Sequence, residues 1–188
     1  WTVNSSGYLS ENSSTTSYSA TFDTSSYSSA DDLATAIGNS SGDIKISIST
    51  SVSDDYLGKI ANKLQSSSTV NCTLDLSESG ITSIGAGTYT SVFANAYHLT
   101  GIILPSTLTT LGNYTFQNCT GLTSITLPSS LSSIGTKAFY GCSNLTSVVF
   151  SDTSKTWTAN GTSISVTDAS TNATNLTTTY AGYAWTAN

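Results

Sequence analysis

The chain contains an ungapped internal repeat with a period of 23 residues. Residues 99–121 read LTGIILPSTLTTLGNYTFQNCTG, and residues 122–144 read LTSITLPSSLSSIGTKAFYGCSN. A longer, degenerate copy occupies residues 74–98, and a truncated copy begins at Leu145. Five pairs of residues recur in phase: Leu99 and Leu122, Pro105 and Pro128, Gly112 and Gly135, Phe116 and Phe139, and Cys119 and Cys142.

Each copy predicts one coil of a stack. Leu99, Ile102 and Leu104 favour a short strand, which Pro105 ends because proline has no N–H to donate to a ladder. Gly112 then permits a tight bend. Because each coil buries its apolar side only against its neighbours, the repeat predicts a short solenoid with a parallel sheet on one face and helical caps at both ends, an α/β fold.

The repeats resemble the BspA-like leucine-rich repeats of bacterial surface proteins, whose signature reads L-x-x-I-x-[IL]-P-x-x-[VL]-x-x-I-G-x-x-A-F-x-x-C. Residues 122–144 match it throughout. Residues 99–121 depart from it with Thr115 in place of Ala, and residues 74–98 have Ala96 in place of the Cys. The resemblance implies a leucine-rich-repeat fold and a role in adhesion or surface display rather than one particular chemistry.

The flanks divide the chain into four predicted segments: a Ser/Thr-rich strand segment (1–30), an N-terminal strand-helix cap (31–73), the repeats (74–150) and a C-terminal cap (151–188). In the N-terminal cap, residues 31–38 and 53–64 predict helices, whereas residues 44–48 and 70–76 alternate as strands. In the C-terminal cap, Ile164 and Val166 suggest a strand, Asp168 a helix cap, and residues 172–180 a helix.

The composition excludes several classes of function. Charged residues make up 9% of the chain, the net charge is -6, and the five basic residues are all Lys. Five scattered lysines cannot neutralise nucleic-acid phosphates or hold an anionic membrane surface. Neither a membrane-spanning run nor a signal peptide is apparent, so we expect a mature or trimmed chain.

Ser, Thr and Asn together account for 83 of 188 residues, which favours an extracellular or cell-surface setting. Asn-x-Ser/Thr sequons occur at ten positions, against roughly 4 to 5 expected by chance at this composition. They mark either N-glycosylation or a preference of the repeat for Asn and Thr. The candidate sites are Asn4, Asn12, Asn39, Asn71, Asn113, Asn118, Asn144, Asn160, Asn172 and Asn175.

No catalytic motif stands in the required context. Residues 38–42 fit G-x-S-x-G around Ser40, but the stretch leaves a predicted helix and enters a strand, the reverse of a nucleophile elbow. His98 is the single histidine and the only possible base, so a Ser40-based hydrolase is a remote alternative. We predict no enzyme activity, and no catalytic residue, cofactor or metal site.

Two acidic pairs and the cysteines have structural interpretations. The pairs at 31–32 and 54–55 stand where helices begin and are explained by the helix dipole. The chain has three cysteines, Cys72, Cys119 and Cys142. The last two stand one repeat period apart and are therefore expected to stack in adjacent coils. A bridge between Cys119 and Cys142 is conceivable, and free buried thiols are the favoured state.

Two surfaces are therefore candidates for function. The outward positions of the repeat strands form a flat, uncharged face suited to another sheet, a strand or a glycan: Gly101, Ile103, Ser124, Thr126, Ser147 and Val149. The N-terminal segment carries apolar side chains that pack either on their own solenoid or on a neighbouring subunit: Trp1, Val3, Tyr8, Leu9, Tyr18, Phe22 and Tyr27.

These surfaces predict a secreted or cell-surface structural and adhesive protein that associates with itself, for example as a filament or coat subunit, or with another surface protein or glycan. The alternative is a monomeric adhesin module that binds a host protein or glycan. Nucleic acid is not an expected partner, and membrane insertion is not expected.

Overall fold

The computed structural model describes residues 2–3, 9–10, 17–21, 42–66, 70–88 and 90–188. The predicted helix at 31–38 lies outside these residues. In chain order the elements are β1 (Thr2–Val3), β2 (Leu9–Ser10), β3 (Ser17–Thr21), β4 (Gly42–Ser47), α1 (Asp54–Ser66), β5 (Val70–Asp75), β6 (Ser83–Ile84), β7 (Leu99–Ile103), β8 (Thr110–Leu111), β9 (Ser124–Leu127), β10 (Ser133–Ile134), β11 (Ser147–Phe150), β12 (Trp157–Ala159), β13 (Thr162–Ile164), α2 (Ala169–Thr174), one π-helical turn (Asn175–Thr179) and β14 (Trp185–Ala187).

Parallel strands dominate the fold. The strands β3, β4, β5 and β7 form a four-stranded parallel sheet in that order, and β9 pairs in parallel with β11. The register of β9 and β11 joins Ser124 to Ser147 and Leu127 to Phe150, which is the period of the sequence repeat. Each repeat also contributes a short second strand, because β6, β8 and β10 pair in parallel.

The core is a column of in-phase side chains. Phe93, Phe116 and Phe139 stack at ring-centroid distances of 5.4 and 5.3 Å. Two glycines let the backbones of adjacent coils approach this closely: a Cβ on Gly112 would clash with the carbonyl of Gly85, and one on Gly135 with the backbone of Asn113. The in-phase leucines and cysteines are buried as well.

The helix α1 lies between β4 and β5, as the sequence predicts. The Ser53 hydroxyl accepts a hydrogen bond from the Tyr56 N–H at 3.2 Å, and two acidic residues follow in the first turn, where the helix dipole favours them. One of these, Asp54, also accepts the Gly85 N–H at 3.1 Å. The acidic pair therefore starts the helix and fixes it to the first short strand.

The C-terminal region departs from the sequence prediction in two ways. The strands β12 and β13 form an antiparallel hairpin, whose turn places Asn160 and Gly161 at φ values of 51° and 73°. Positive φ at both central residues is typical of a type I′ turn, and Asn-Gly is its preferred sequence. The prediction included only a strand near Ile164 and Val166, and Val166 lies beyond the end of β13.

The predicted 172–180 helix is also shifted. It begins at Ala169, and its α-helical part ends at Thr174, after which the chain continues as the π-helical turn. Asp168 is the N-cap, as predicted, and accepts the Thr171 N–H at 2.7 Å. Hydrogen bonds from Thr171 and Ser170 hold the pKa of the Asp168 carboxyl below its usual value.

The last strand closes an open edge. β14 pairs antiparallel with β10 on one side and with β12 on the other, so the short parallel strands continue into the hairpin. Trp157 of β12 and Trp185 of β14 are buried, and Phe150 lies against both rings at centroid distances of 5.1 and 6.4 Å.

Replacement of the central phenylalanine tests the stack. We expect Phe116→Ala to lower the free energy of unfolding by about 3–5 kcal/mol, because it removes a ring that contacts one above and one below. The exposed Val149→Ala should change it by less than about 0.5 kcal/mol. Urea denaturation of both variants measures the difference, and equal effects would contradict the stacked core.

Candidate functional site

The predicted outward residues lie on the solvent side of the long strands. Ile103 and Val149 are each 44% exposed, which is unusual for aliphatic side chains of this size in the described chain. Val149 is paired with Thr126, and Ser147 with Ser124. The outer face of β7, β9 and β11, hereafter the outer sheet face, is therefore neutral and combines small hydroxyl residues with two exposed aliphatic ones.

A groove divides this face. β7 and β9 belong to separate sheets, although they come from adjacent repeats. The register of β5 and β7 shifts at Cys72 and Thr73, and the hydroxyl of Thr100 donates to the Cys72 carbonyl at 3.1 Å. Such an irregularity bends a strand away from its neighbour. The groove has a volume of about 410 Å³, and its lining includes Thr73, Gly101, Ile103, Ser124, Thr126 and Ser151.

Charge is confined to the N-terminal end of the same sheet. Lys45 on β4 and Asp75 on β5 form an ion pair of 2.8 Å. Partial burial alone would raise the pKa of Asp75, but hydrogen bonds from Lys45 and Ser77 outweigh it and leave that pKa lowered. Asn71 donates to the Asp43 carboxylate at 3.1 Å. The charged end is thus paired internally, and the outer sheet face beyond β5 carries no ionised group among its six outward residues.

The sequon asparagines have very different surroundings. Asn160 is exposed at the hairpin turn, and Asn113 is exposed with its Oδ1 accepting the Thr136 N–H at 2.8 Å. The Nδ2 groups of Asn71, Asn118 and Asn144 each donate to a neighbouring coil. Asn175 is partly exposed at the start of the π-helical turn. Asn4, Asn12 and Asn39 lie outside the described residues.

Asn172 is the exception, because it is only 1% exposed. Its Nδ2 donates to the carbonyls of Val148 at 2.9 Å and Val166 at 3.0 Å. Val148 belongs to β11, the last long strand, so this amide satisfies a carbonyl of that strand. A glycan on the same nitrogen would have to displace one of these bonds and open the core. Asn172 therefore serves the packing of α2 on β11.

The residues of the remote hydrolase alternative are described only in part. Ser40 lies outside the described residues, and His98 is half-buried with its Nδ1 3.5 Å from the Asn71 Oδ1. Within residues 42–66, 70–88 and 90–188, no three His, Cys, Asp or Glu side chains form a group that could bind a metal ion. In the same part of the chain, no helix has both the length and the apolar character required to cross a bilayer.

The N-terminal candidate residues are described only in part. Val3 and Leu9 lie in β1 and β2, which pair with each other in an antiparallel hairpin. Tyr18 lies in β3, and the backbone of β3 pairs with β4 of the same chain. This pairing agrees with the alternative in which the N-terminal segment packs on its own solenoid. Trp1, Tyr8, Phe22 and Tyr27 fall outside the described residues. An inter-subunit role for this segment stays a prediction.

The three cysteines are free and buried, so the favoured interpretation is confirmed and the Cys119 to Cys142 bridge is not formed. Each repeat thiol donates to the phenylalanine carbonyl of the preceding coil, Cys119 to Phe93 at 3.0 Å and Cys142 to Phe116 at 2.9 Å. Burial raises the pKa of Cys72 and of Cys142 to about 12, and raises that of Cys119 as well. The thiols are structural donors.

These parallel strands and in-phase leucine, phenylalanine and cysteine columns define a leucine-rich-repeat structure. Residues 87–162 match the family model of the BspA type leucine rich repeat region, in six copies, so this part of the chain is a BspA-type leucine-rich repeat region. The resemblance predicted from the sequence is confirmed. No curated protein and no solved structure matches the chain.

The sequence analysis missed a second surface. Asn95 and Asn118 occupy the same position in successive coils and are joined by a side-chain hydrogen bond of 2.9 Å. Tyr97 and Tyr140 are exposed beside them. The sequence does contain a signal for this surface. Asn95, Asn118 and Gly141 follow one another at one repeat period, so they occupy the same position in successive coils.

The thiols provide the first test of these assignments. We expect all three to resist a thiol reagent such as DTNB in the native chain and to react fully after unfolding without reductant, because the thiolate is the reactive form. Absorbance of the released product counts them. A count below three after unfolding would show that a disulfide had been present.

The buried amide of Asn172 provides the second test of these assignments. Asn172→Asp should lower the free energy of unfolding by about 2–4 kcal/mol, because a carboxylate cannot donate to the two carbonyls and would be buried with its charge. The control Asn175→Asp makes the same change at a partly exposed neighbour and should have little effect. Urea denaturation compares the two, and equal stabilities would contradict the proposed role of the buried amide.

Proposed function

We propose that the chain is a secreted or cell-surface structural protein without enzymatic activity, built as a short solenoid with helical caps, which associates with copies of itself through the outer sheet face. The observation that carries this proposal is the pair of exposed aliphatic side chains, Ile103 and Val149, on a face that has no charge of its own.

Electrostatics favour self-association at this face. Residues 79–151 include no Asp or Glu, and their only basic side chains are Lys137 and His98. Charge repulsion normally keeps copies of a protein apart, and this part of the surface provides almost none. An uncharged face of Ser, Thr, Val and Ile on either side of the groove is compatible with a second copy of itself, because two sheets can pack face to face at about 10 Å.

Glycosylation of the exposed sequons is part of the same proposal. Asn160 and Asn113 are exposed, and neither uses its Nδ2 in one of the hydrogen bonds that join coils at Asn71, Asn118 and Asn144. Neither lies on the outer sheet face. Glycans there would coat the molecule and leave that face uncovered.

The groove between β7 and β9 favours a second candidate, a monomeric adhesin. An extended segment of a host protein or glycan would lie along the groove beside Gly101, which has no side chain to obstruct it. In that case the outer sheet face would bind a foreign ligand instead of a second copy.

Sedimentation velocity over a range of concentrations tests the leading proposal. We expect the sedimentation coefficient of the full chain to rise with concentration, and Val149→Lys to remain monomeric because it places a charge in the contact. Ser143→Lys makes the same change at an exposed position of a repeat loop and should assemble like the unmodified chain.

Two outcomes would contradict self-association through this face. Either the unmodified chain stays monomeric at high concentration, or Val149→Lys assembles as well as Ser143→Lys does. A monomer would direct attention to the adhesin candidate.

A further inference from the structure

A ladder of asparagine amides runs across the repeats shortly before the long strands begin. Asn118 donates its Nδ2 to the Asn95 Oδ1 at 2.9 Å, and the Tyr97 hydroxyl lies 3.5 Å from the same oxygen. The backbone N–H of Asn118 donates to the Tyr140 carbonyl at 2.8 Å. Tyr97 therefore adjoins the ladder through its side chain, and Tyr140 adjoins it through its backbone. We call the set Asn95, Tyr97, Asn118, Lys137 and Tyr140 the amide–tyrosine surface.

The two rings are open to solvent. Tyr97 is 42% exposed and Tyr140 is 47% exposed, and both belong to the few large hydrophobic side chains of the described chain that are so exposed. Tyr140 also has the Lys137 Nζ 5.5 Å from its ring centre. The lysine cation is attracted to the ring and restrains it. No acidic residue occurs between 79 and 151, so this part of the sequence offers Lys137 no carboxylate partner.

The backbone holds this surface rigid. Asn95, Asn118 and Lys137 all have positive φ values, 62°, 57° and 57°, which non-glycine residues adopt only when the surroundings fix them. The Asn95 N–H donates to the Gln117 carbonyl at 2.7 Å, one coil further on. The amides and rings are thus preorganised, which lowers the entropy lost on binding.

The chemistry of these groups selects a neutral carbohydrate. Tyrosine rings stack on the C–H faces of sugar rings, and amides both donate to and accept from sugar hydroxyls. Adjacent phenylalanines give a coil spacing of 5.4 and 5.3 Å, so the coils that carry Tyr97 and Tyr140 lie two such spacings apart along the stack, and an extended chain of several sugar rings spans both coils. From this arrangement we propose that the amide–tyrosine surface binds a neutral polysaccharide chain.

Other ligand classes fit this surface less well. A single lysine cannot hold an anionic polysaccharide, whose affinity depends on several cations. A protein partner needs a desolvated apolar centre, and the exposed aliphatic residues Ile103 and Val149 lie instead on the outer sheet face. The site shares no residue with that face, so it does not require self-association.

The same geometry assigns a role to Asn118, which lies in a sequon. Its Nδ2 is already bonded to Asn95, and its Oδ1 packs so closely on Gly141 that a Cβ there would clash with it. Asn118 therefore belongs to the binding surface and is not a glycan acceptor in the folded chain.

Affinity electrophoresis tests the proposal with the full chain. Native gels are cast with hydroxyethyl cellulose, xylan, starch or mannan, and with heparin as an anionic comparison. We expect at least one neutral polysaccharide to retard the chain. Tyr97→Ala and Tyr140→Ala should each weaken that binding about tenfold, whereas Tyr97→Phe and Tyr140→Phe keep the ring and should bind nearly as well as the unmodified chain.

Val149→Lys on the outer sheet face should bind the polysaccharide normally, so a failure of the self-association proposal is distinguishable from a failure of this one. Thermal melts confirm that each variant is folded. The proposal is overturned if no neutral polysaccharide retards the chain, if only heparin does, or if the alanine variants bind as tightly as the phenylalanine ones. The proposal is also overturned if the unmodified chain binds a protein and no polysaccharide, and if the alanine variants lose that protein. Such a result would favour a protein partner for this surface.

Discussion

The close approach of one coil to the next is the constraint on which the rest of the structure depends. The stacked phenylalanines set a spacing near 5.4 Å, and glycine stands where the backbones of adjacent coils meet, at Gly112 and Gly135, where a Cβ would clash. The long strands, the short strands and the cysteine hydrogen bonds all follow the same period. A larger residue in place of one of these glycines would push two coils apart. It would therefore disturb every hydrogen-bonded strand pair between those coils.

A stack of this kind leaves unsatisfied groups at both ends, and side-chain and backbone groups of the flanking segments satisfy them here. At the N-terminal side, the Asp54 carboxylate accepts the Gly85 N–H. At the C-terminal side, the Ala181 carbonyl accepts from Lys137, as the Thr136 carbonyl accepts from Tyr114 one coil earlier. The C-terminal segment thus occupies the place of a further coil, and the buried amide of Asn172 completes the long sheet.

Features that repeat could be predicted from the sequence, and features set by contacts between distant residues could not. The period, the buried columns and the outward residues follow from the phase of the repeat alone. The start of α1 follows from a local signal, namely Ser53 and its acidic neighbours. The Asn160–Gly161 hairpin carried a recognisable turn signal that the prediction did not use. The register shift between β5 and β7 involves the bonding of Thr100 to Cys72, and the position of β14 depends on Ser132 and Ser133 in a distant repeat. No local pattern encodes such contacts.

The hydroxyl-rich composition also has a structural meaning that solubility alone does not explain. Thr107 donates to the Ile81 carbonyl at 2.8 Å, Ser130 to Leu108 at 2.6 Å, and Thr109 and Ser132 donate in the same way to the coil before them. Serine and threonine can thus join coils at exposed edges without introducing charge. A chain stabilised in this way keeps the surface of its repeats neutral, and the outer sheet face and the amide–tyrosine surface both depend on that neutrality: the first for contact with a like surface, the second for a ligand without charge.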